Sequence, residues 1–178
     1  MKIVRNVVVV LAVLLVVLVG AAFLLPSRFA VERSTVIAAP ADSIYRRVAT
    51  PRTWATWSSW TVRRDSTLVY TYAGPESGVG AVMRFRARQM GSGELEIVEA
   101  VPGRAVGYEL RFVGADMKVH GRVTLQSVAG GTRVTWRDSG DLGGNVLLRY
   151  LVPALNRNLA AAYATSFRGL SRETAARE

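Results

Sequence analysis

Acid–base chemistry inside a protein needs a carboxyl, imidazole or phenol held away from bulk water, and few residues of this chain are placed for it. When the alternating segments are read as strands, Glu99 and Asp138 fall on the apolar parity, Asp138 at a strand end, together with tyrosines such as Tyr70, Tyr72 and Tyr108. These are the candidates for a general acid or base. His120, the single histidine, falls on the opposite, arginine-rich parity and reads as a surface residue. With one histidine and no cysteine, a histidine-rich or thiolate metal centre, a disulfide and a cysteine nucleophile are excluded together, while the redox compartment stays open. There is no serine–histidine–acid set, and Gly78-Val79-Gly80 lacks the helix and lysine of a phosphate cradle. The sequence therefore assigns no catalytic residue, no metal site and no cofactor.

Side chains of this kind must be carried by a scaffold, and from Leu68 onward that scaffold has a period of two. Leu68, Tyr70 and Tyr72 share a face. After the turn Gly74-Pro75-Glu76-Ser77-Gly78, Ala81, Met83, Phe85 and Ala87 alternate with Val82, Arg84, Arg86 and Arg88. Leu95 and Ile97, then Val106, Tyr108, Leu110 and Phe112, then Met117, Val119, Val123 and Leu125, then Val134 and Trp136 continue the apolar side across turns at Gly91-Ser92-Gly93, Pro102-Gly103 and Ala129-Gly130-Gly131. The pattern predicts an antiparallel meander with one apolar and one charged face. Phe29 to Ala38, with mixed faces, predicts a further strand at a sheet edge. Between them, Pro40 to Val48 predicts a short helix, and Thr50-Pro51 caps and starts another that carries Trp54 and Trp57 one turn apart, with Trp60 just beyond. These tryptophans form either an aromatic wall of a pocket or ordinary packing between the helices and the sheet.

The last stretch, Asn145 to Glu173, repeats Leu147, Leu151, Leu155, Leu159, Ala162, Tyr163, Phe167 and Leu170 at spacings of three and four, the stripe of an amphipathic helix. Pro153 predicts a kink or a helix start near Val152. A sheet wrapped on this helix covers both apolar faces.

Val7 to Leu25 is a run of nineteen residues without charge, flanked by Lys2 and Arg5 and closed by Pro26. The length suits a bilayer-spanning helix. A cleaved signal peptide is the competing reading, since Gly20, Ala21 and Ala22 are small, and a buried soluble helix is a third. The apolar run continues beyond the plausible cut, which favours an uncleaved membrane anchor over residues 1–26 and a globular domain over 27–178. The short basic tail suits a signal-anchor, with the domain outside the cytoplasm. The formal charge of +10 arises almost entirely from arginine, Lys2 and Lys118 being the two lysines. Such a charge suits nucleic acid, an anionic membrane surface or a mere coding bias. Because the basic residues are dispersed along the outer strand faces beside Glu94, Glu96 and Glu109, no specific nucleic-acid partner is expected.

Ser34-Thr35-Val36-Ile37-Ala38-Ala39-Pro40, Trp54-Ala55-Thr56-Trp57-Ser58, Gly74-Pro75-Glu76-Ser77-Gly78-Val79-Gly80, Gly91-Ser92-Gly93-Glu94-Leu95-Glu96-Ile97, Pro102 and Gly130-Gly131-Thr132-Arg133-Val134-Thr135-Trp136 stand in an order and spacing that resembles the polyketide cyclase/dehydrase and lipid-transport group of the START-like (SRPBCC) superfamily. The resemblance covers about Ala30 to Arg172. It implies an α+β helix-grip fold, with an antiparallel sheet wrapped on a long C-terminal helix around a cavity for an apolar small molecule such as a lipid, sterol, polyketide or terpenoid. It implies no reaction, because no residue here matches a catalytic position of the soluble cyclases.

Parity and helical period then give the expected cavity lining: Tyr70, Tyr72, Met83, Phe85, Tyr108, Leu110, Phe112, Met117, Val119 and Trp136 on the sheet, and Leu155, Leu159, Tyr163 and Phe167 on the helix. The expected function is a membrane-anchored binding module for an apolar ligand. The alternatives are a cyclase- or hydrolase-type enzyme, or an envelope interaction module whose inward side chains simply fill a core.

Overall fold

The computed structural model describes residues 2–61, 64–114, 117–144 and 146–175. Asn145, the expected first residue of the C-terminal helical stretch, lies outside them. The uncharged N-terminal run forms α1 (Lys2–Leu24), whose side chains are almost all exposed. Then follow β1 (Arg28–Ile37), α2 (Ala41–Val48), a 3-10 turn (Pro51–Thr53) that runs into α3 (Trp54–Trp57), and six strands: β2 (Val69–Ala73), β3 (Val82–Ala87), β4 (Gly91–Val101), β5 (Ala105–Phe112), β6 (Lys118–Val128) and β7 (Gly131–Asp141). A second 3-10 stretch (Val146–Leu151) leads into α4 (Val152–Ala175), which begins where Pro153 requires a start.

All pairings are antiparallel, in the order β1-β7-β6-β5-β4-β3-β2. This is the helix-grip arrangement: the meander curls its apolar face around α4, and β1 closes one edge by pairing with β7. The burial of alternate residues follows the sequence parity closely on β6 and β7. On the outer face Arg84 pairs with Glu94 at 2.6 Å across β3 and β4, and Arg122 with Glu99 at 2.8 Å. Exposed pairs of this kind each contribute a few tenths of a kcal/mol.

Thr50 was expected to cap the second short helix, yet its side chain makes no capping bond. Thr53 ties the turn instead, donating its hydroxyl to the Arg47 carbonyl at 2.6 Å and accepting from Trp57 Nε1 at 3.2 Å. Trp54 Nε1 donates to the Val48 carbonyl at 2.9 Å. The indole N–H groups are thus used locally, which frees the ring faces for the core.

The loop before β2 is held by a carboxylate that the sequence does not advertise. Asp65 accepts from the Thr67 hydroxyl at 2.6 Å, the Thr67 amide at 3.0 Å and the Gln89 amide at 2.7 Å, stitching this loop to the β3–β4 turn. These bonds, the Thr67 hydroxyl foremost, lower its pKa from 3.8 to about 2. A depressed folded-state pKa means a stabilising contribution that is present above the unfolded value and lost as pH falls through the folded one. The stability advantage of the parent chain over Asp65→Asn is therefore expected to be full at neutral pH and to vanish between about 3.8 and about 2. Thermal melts of the two chains at matched pH check this. A gap that stays constant on acidification would show that the carboxylate charge is not what holds the loop.

Candidate functional site

An enclosed cavity lies between the concave sheet, α3 and the first half of α4. Phe29 from β1, Leu95 from β4, Tyr108, Leu110 and Phe112 from β5, Val119 from β6 and Trp136 from β7 form its sheet side. Met117 closes it just before β6. Trp54, Ser58, Ser59 and Trp60 wall it at α3, and Leu155, Leu159, Ala162, Tyr163 and Ser166 roof it from α4. Nine of the fourteen expected lining residues are therefore brought together: Tyr108, Leu110, Phe112, Met117, Val119, Trp136, Leu155, Leu159 and Tyr163.

The other five lie outside the cavity, for reasons that parity alone does not carry. Met83 and Phe85 point to the correct side of the sheet but are fully covered, Phe85 by Trp60 and Phe112 at ring distances of 4.8 and 5.9 Å. Tyr70 and Tyr72 lie on the edge strand β2. Tyr70 donates to the Trp60 carbonyl at 2.7 Å, and Tyr72 lies under the Arg52 guanidinium at 4.4 Å. Phe167 packs on Trp136 in the second half of α4, beyond the cavity roof. Of the three tryptophans, Trp54 and Trp60 are wall, and Trp57 is packing, 1 % exposed.

One pole of the cavity is polar. Trp136 Nε1 donates to the Tyr108 hydroxyl at 2.8 Å, which donates to Asp138 Oδ1 at 2.6 Å. All three residues are buried. Trp136 also stacks on Tyr163, with ring centres 5.1 Å apart, and crosses Trp54 edge-on at 5.7 Å. The Tyr163 hydroxyl is buried towards the same carboxylate without completing a hydrogen bond of good geometry. Burial raises the pKa of Asp138, opposed by hydrogen bonds led by that of Tyr108; burial and the nearby Asp138 charge push Tyr108 and Tyr163 upward as well. The phenols are therefore donors at physiological pH, and the carboxyl holds its proton more readily than a surface aspartate.

Glu99, the other acid on the expected inward parity, is not in the cavity. A register shift between Ile97 and Glu99 interrupts the β4–β5 ladder and turns Glu99 outward to Arg122. Asp138 keeps its parity because β7 pairs without interruption on both sides, and it lies within the strand rather than at its end. Ser58, Ser59 and Ser166 are wall residues outside the expected lining. Ser166 lies one turn past Tyr163 on the same helical stripe, a signal that was available; its hydroxyl accepts from the Ser59 amide at 2.9 Å.

The cavity encloses about 90 Å³. That holds about three waters at ~30 Å³ each, well below the roughly 300 Å³ of a small-ligand site. Larger hollows lie on the surface. One of about 700 Å³ by the start of α2 and the β4–β5 and β6–β7 turns is open to solvent and has no aromatic side chain in its lining. The enclosed cavity is the candidate because apolar enclosure and buried polar groups coincide there.

The family described as polyketide cyclase/dehydrase and lipid transport matches residues 28–174. No curated protein sequence matches the chain. Solved structures share its fold at low identity. A Chromobacterium violaceum protein, CV1439, is 20% identical with a TM-score of 0.61, covering 82% of this chain and 96% of its own. The Staphylococcus aureus protein of unknown function SA2116 is 11% identical with a TM-score of 0.64, covering 84% and 94%. The di-domain ARO/CYC StfQ of the steffimycin biosynthetic pathway is 13% identical with a TM-score of 0.63, covering 86% of this chain and 52% of its own, so this chain spans about half of it.

Proposed function

Because the chain belongs to the polyketide cyclase/dehydrase and lipid transport family, we propose that it is a membrane-anchored binding module for an apolar small molecule that carries one hydrogen-bonding group. The observation that carries this reading is an enclosed apolar cavity with a buried carboxyl, Asp138, and a buried phenol, Tyr163, that faces it without a hydrogen bond of good geometry, at one pole. A ligand hydroxyl there accepts from Tyr163 and donates to Asp138, satisfying groups that are otherwise costly to bury. Lipid, polyketide and terpenoid alcohols all have this chemistry.

Admission of such a ligand requires the roof to lift. The buried residues of α4 are concentrated from Tyr163 onward, whereas Leu155 and Leu159 are only partly covered. The first half of the helix is thus the part with least to lose on moving.

For the anchor, the support is α1, the one helix among the described residues long and apolar enough to cross a bilayer; a signal sequence near the N-terminus passes the same test. The proposal includes a single pass with the domain outside the cytoplasm, supported by the basic residues Lys2 and Arg5 on the N-terminal flank of the apolar run. A second reading, an enzyme of the cyclase or hydrolase kind, is favoured by the raised pKa of Asp138 beside the Tyr108 hydroxyl, a pair able to hand a proton to a bound ligand.

Mass spectrometry of an organic extract of the full-length protein, with thermal melts in the presence of fatty alcohols and sterols, tests the binding. Leu159→Phe is expected to lower ligand-dependent stabilisation several-fold while costing under about 1 kcal/mol, because the added ring enters existing space. A cost of roughly 1–3 kcal/mol, with no ligand-dependent shift in the parent, would mean that the cavity is only a packing defect. Retention in the membrane fraction after alkaline washing tests the anchor.

A further inference from the structure

The 3-10 stretch Val146–Leu151 combines two properties. It is apolar and open, with Leu148 37%, Tyr150 40% and Leu151 56% exposed. It is also fastened to the end of α1. Arg149 Nη1 donates to the carbonyls of Ala22, Phe23 and Leu25 at 3.4, 3.3 and 3.2 Å, and the Tyr150 hydroxyl donates to the Leu18 carbonyl at 2.7 Å.

The last carbonyls of a helix have no partner within it, and where water is scarce each must find one. Arg149 supplies donors and a positive charge at the end where the helix dipole is negative. At 1.5 Å per residue, Leu18 lies roughly 9 Å before Leu24 along α1. Tyr150 therefore reaches back beside the last two turns of the apolar run, to the depth at which a tyrosine sits with its ring in the acyl boundary and its hydroxyl among polar groups. Phe23 and Leu24, 64% and 88% exposed, continue the same surface.

The cavity is tied to this junction. Phe29, in β1 just past α1, and Leu155, one turn beyond Leu151, both line it. Val113, 78% exposed, directly follows the lining residue Phe112.

We infer that Val146–Leu151 is a foot that lies in the headgroup layer of the bilayer crossed by α1 and holds the Phe29–Leu155 end of the cavity against the lipid. The inference rests on the anchor reading above and goes beyond it: the domain does not hang freely on a tether but is docked, with its cavity at the level from which a membrane-dissolved amphiphile enters. The occupant of the apolar patch is lipid, because the patch is continuous with the exposed side chains of α1 and hydrogen-bonded to its backbone.

The chain has no cysteine, so a single introduced one is labelled uniquely. Full-length Leu151→Cys and Leu148→Cys, each carrying a nitroxide, are reconstituted in phosphatidylcholine vesicles beside Val79→Cys, a position 60% exposed on the β2–β3 turn. The ratio of oxygen to nickel-chelate accessibility is expected to be several-fold higher at 148 and 151 than at 79. Equal ratios in protein that stays with the vesicles after alkaline washing overturn the foot and leave the anchor standing. Release of the protein by that wash overturns the anchor, and the foot with it. Concentration-dependent spin–spin broadening at 151 overturns lipid as the occupant and assigns the patch to a second copy of the chain.

Discussion

Gly169→Ala should destabilise the domain by about 2–4 kcal/mol, although glycine to alanine in an unobstructed helix interior stabilises by roughly 0.5–1 kcal/mol. Gly169 lies on the buried side of α4 where that helix meets the end of α3, and a Cβ there would land on the carbonyl oxygen of Trp57 and within 3.0 Å of its Cα. Those are backbone atoms. They cannot swing aside as the end of a side chain can, and Trp57, 1% exposed with its indole bonded to Thr53, has no room to retreat. The helix must therefore move away from α3, opening space among Trp54, Trp57, Trp136 and Phe167. Urea unfolding of the parent and the variant measures the loss. An unchanged or raised midpoint would show that helix propensity outweighs the close approach, and the second half of α4 could not then be the fixed part about which the cavity roof moves.

How much of this was legible in the sequence can be judged strand by strand. Where a strand is paired without interruption on both sides, as β6 and β7 are, alternation gave the inward set correctly, Val119, Trp136 and Asp138 included. Parity failed at Glu99 because a bulge adds a residue that no periodicity announces. Another kind of miss came from position along the face. Met83 and Phe85 share the inward parity of Tyr108, yet neither reaches the cavity and both are fully covered. Period two tells which side of a sheet a residue faces but not what covers it, and that depends on long-range docking of helices whose own sequence signal is short. Phe167 shows the same limit on α4, since the apolar stripe runs the length of the helix whereas the cavity roof ends at Ser166. The polar pole was only half visible. Asp138 was a candidate by parity, but its partnership with Tyr108 joins strands that are neighbours only through β6.

That partnership sets the last expected result. Asp138→Asn should make the domain more stable than the parent, by an amount that grows as pH rises. Asp138 is 6% exposed, and burial raises its pKa above the unfolded value of 3.8. Between those two values the folded chain holds a proton that the unfolded chain has released, so parent stability falls with rising pH by up to about 1.4 kcal/mol per pH unit and levels off above the folded value. Asparagine is nearly the size of the protonated acid and keeps a carbonyl to accept from Tyr108, but it has no charge to lose. The two chains should therefore match near pH 4 and diverge upward, with urea midpoints across acid to neutral pH as the readout. Subtracting one curve from the other cancels groups common to both chains, Asp65 among them, whose own slope has the opposite sign and lies lower in pH. Parallel curves would mean that the Tyr108 hydrogen bond offsets desolvation completely, and that Asp138 is an ordinary satisfied core acid. If the curves diverge, the chain keeps a buried carboxyl that lowers its stability at neutral pH, as expected of a group retained for what it binds. The same Asp138→Asn protein should then lose affinity for a long-chain alcohol while keeping it for the alkane of equal length, because only the alcohol has a proton to give to Asp138.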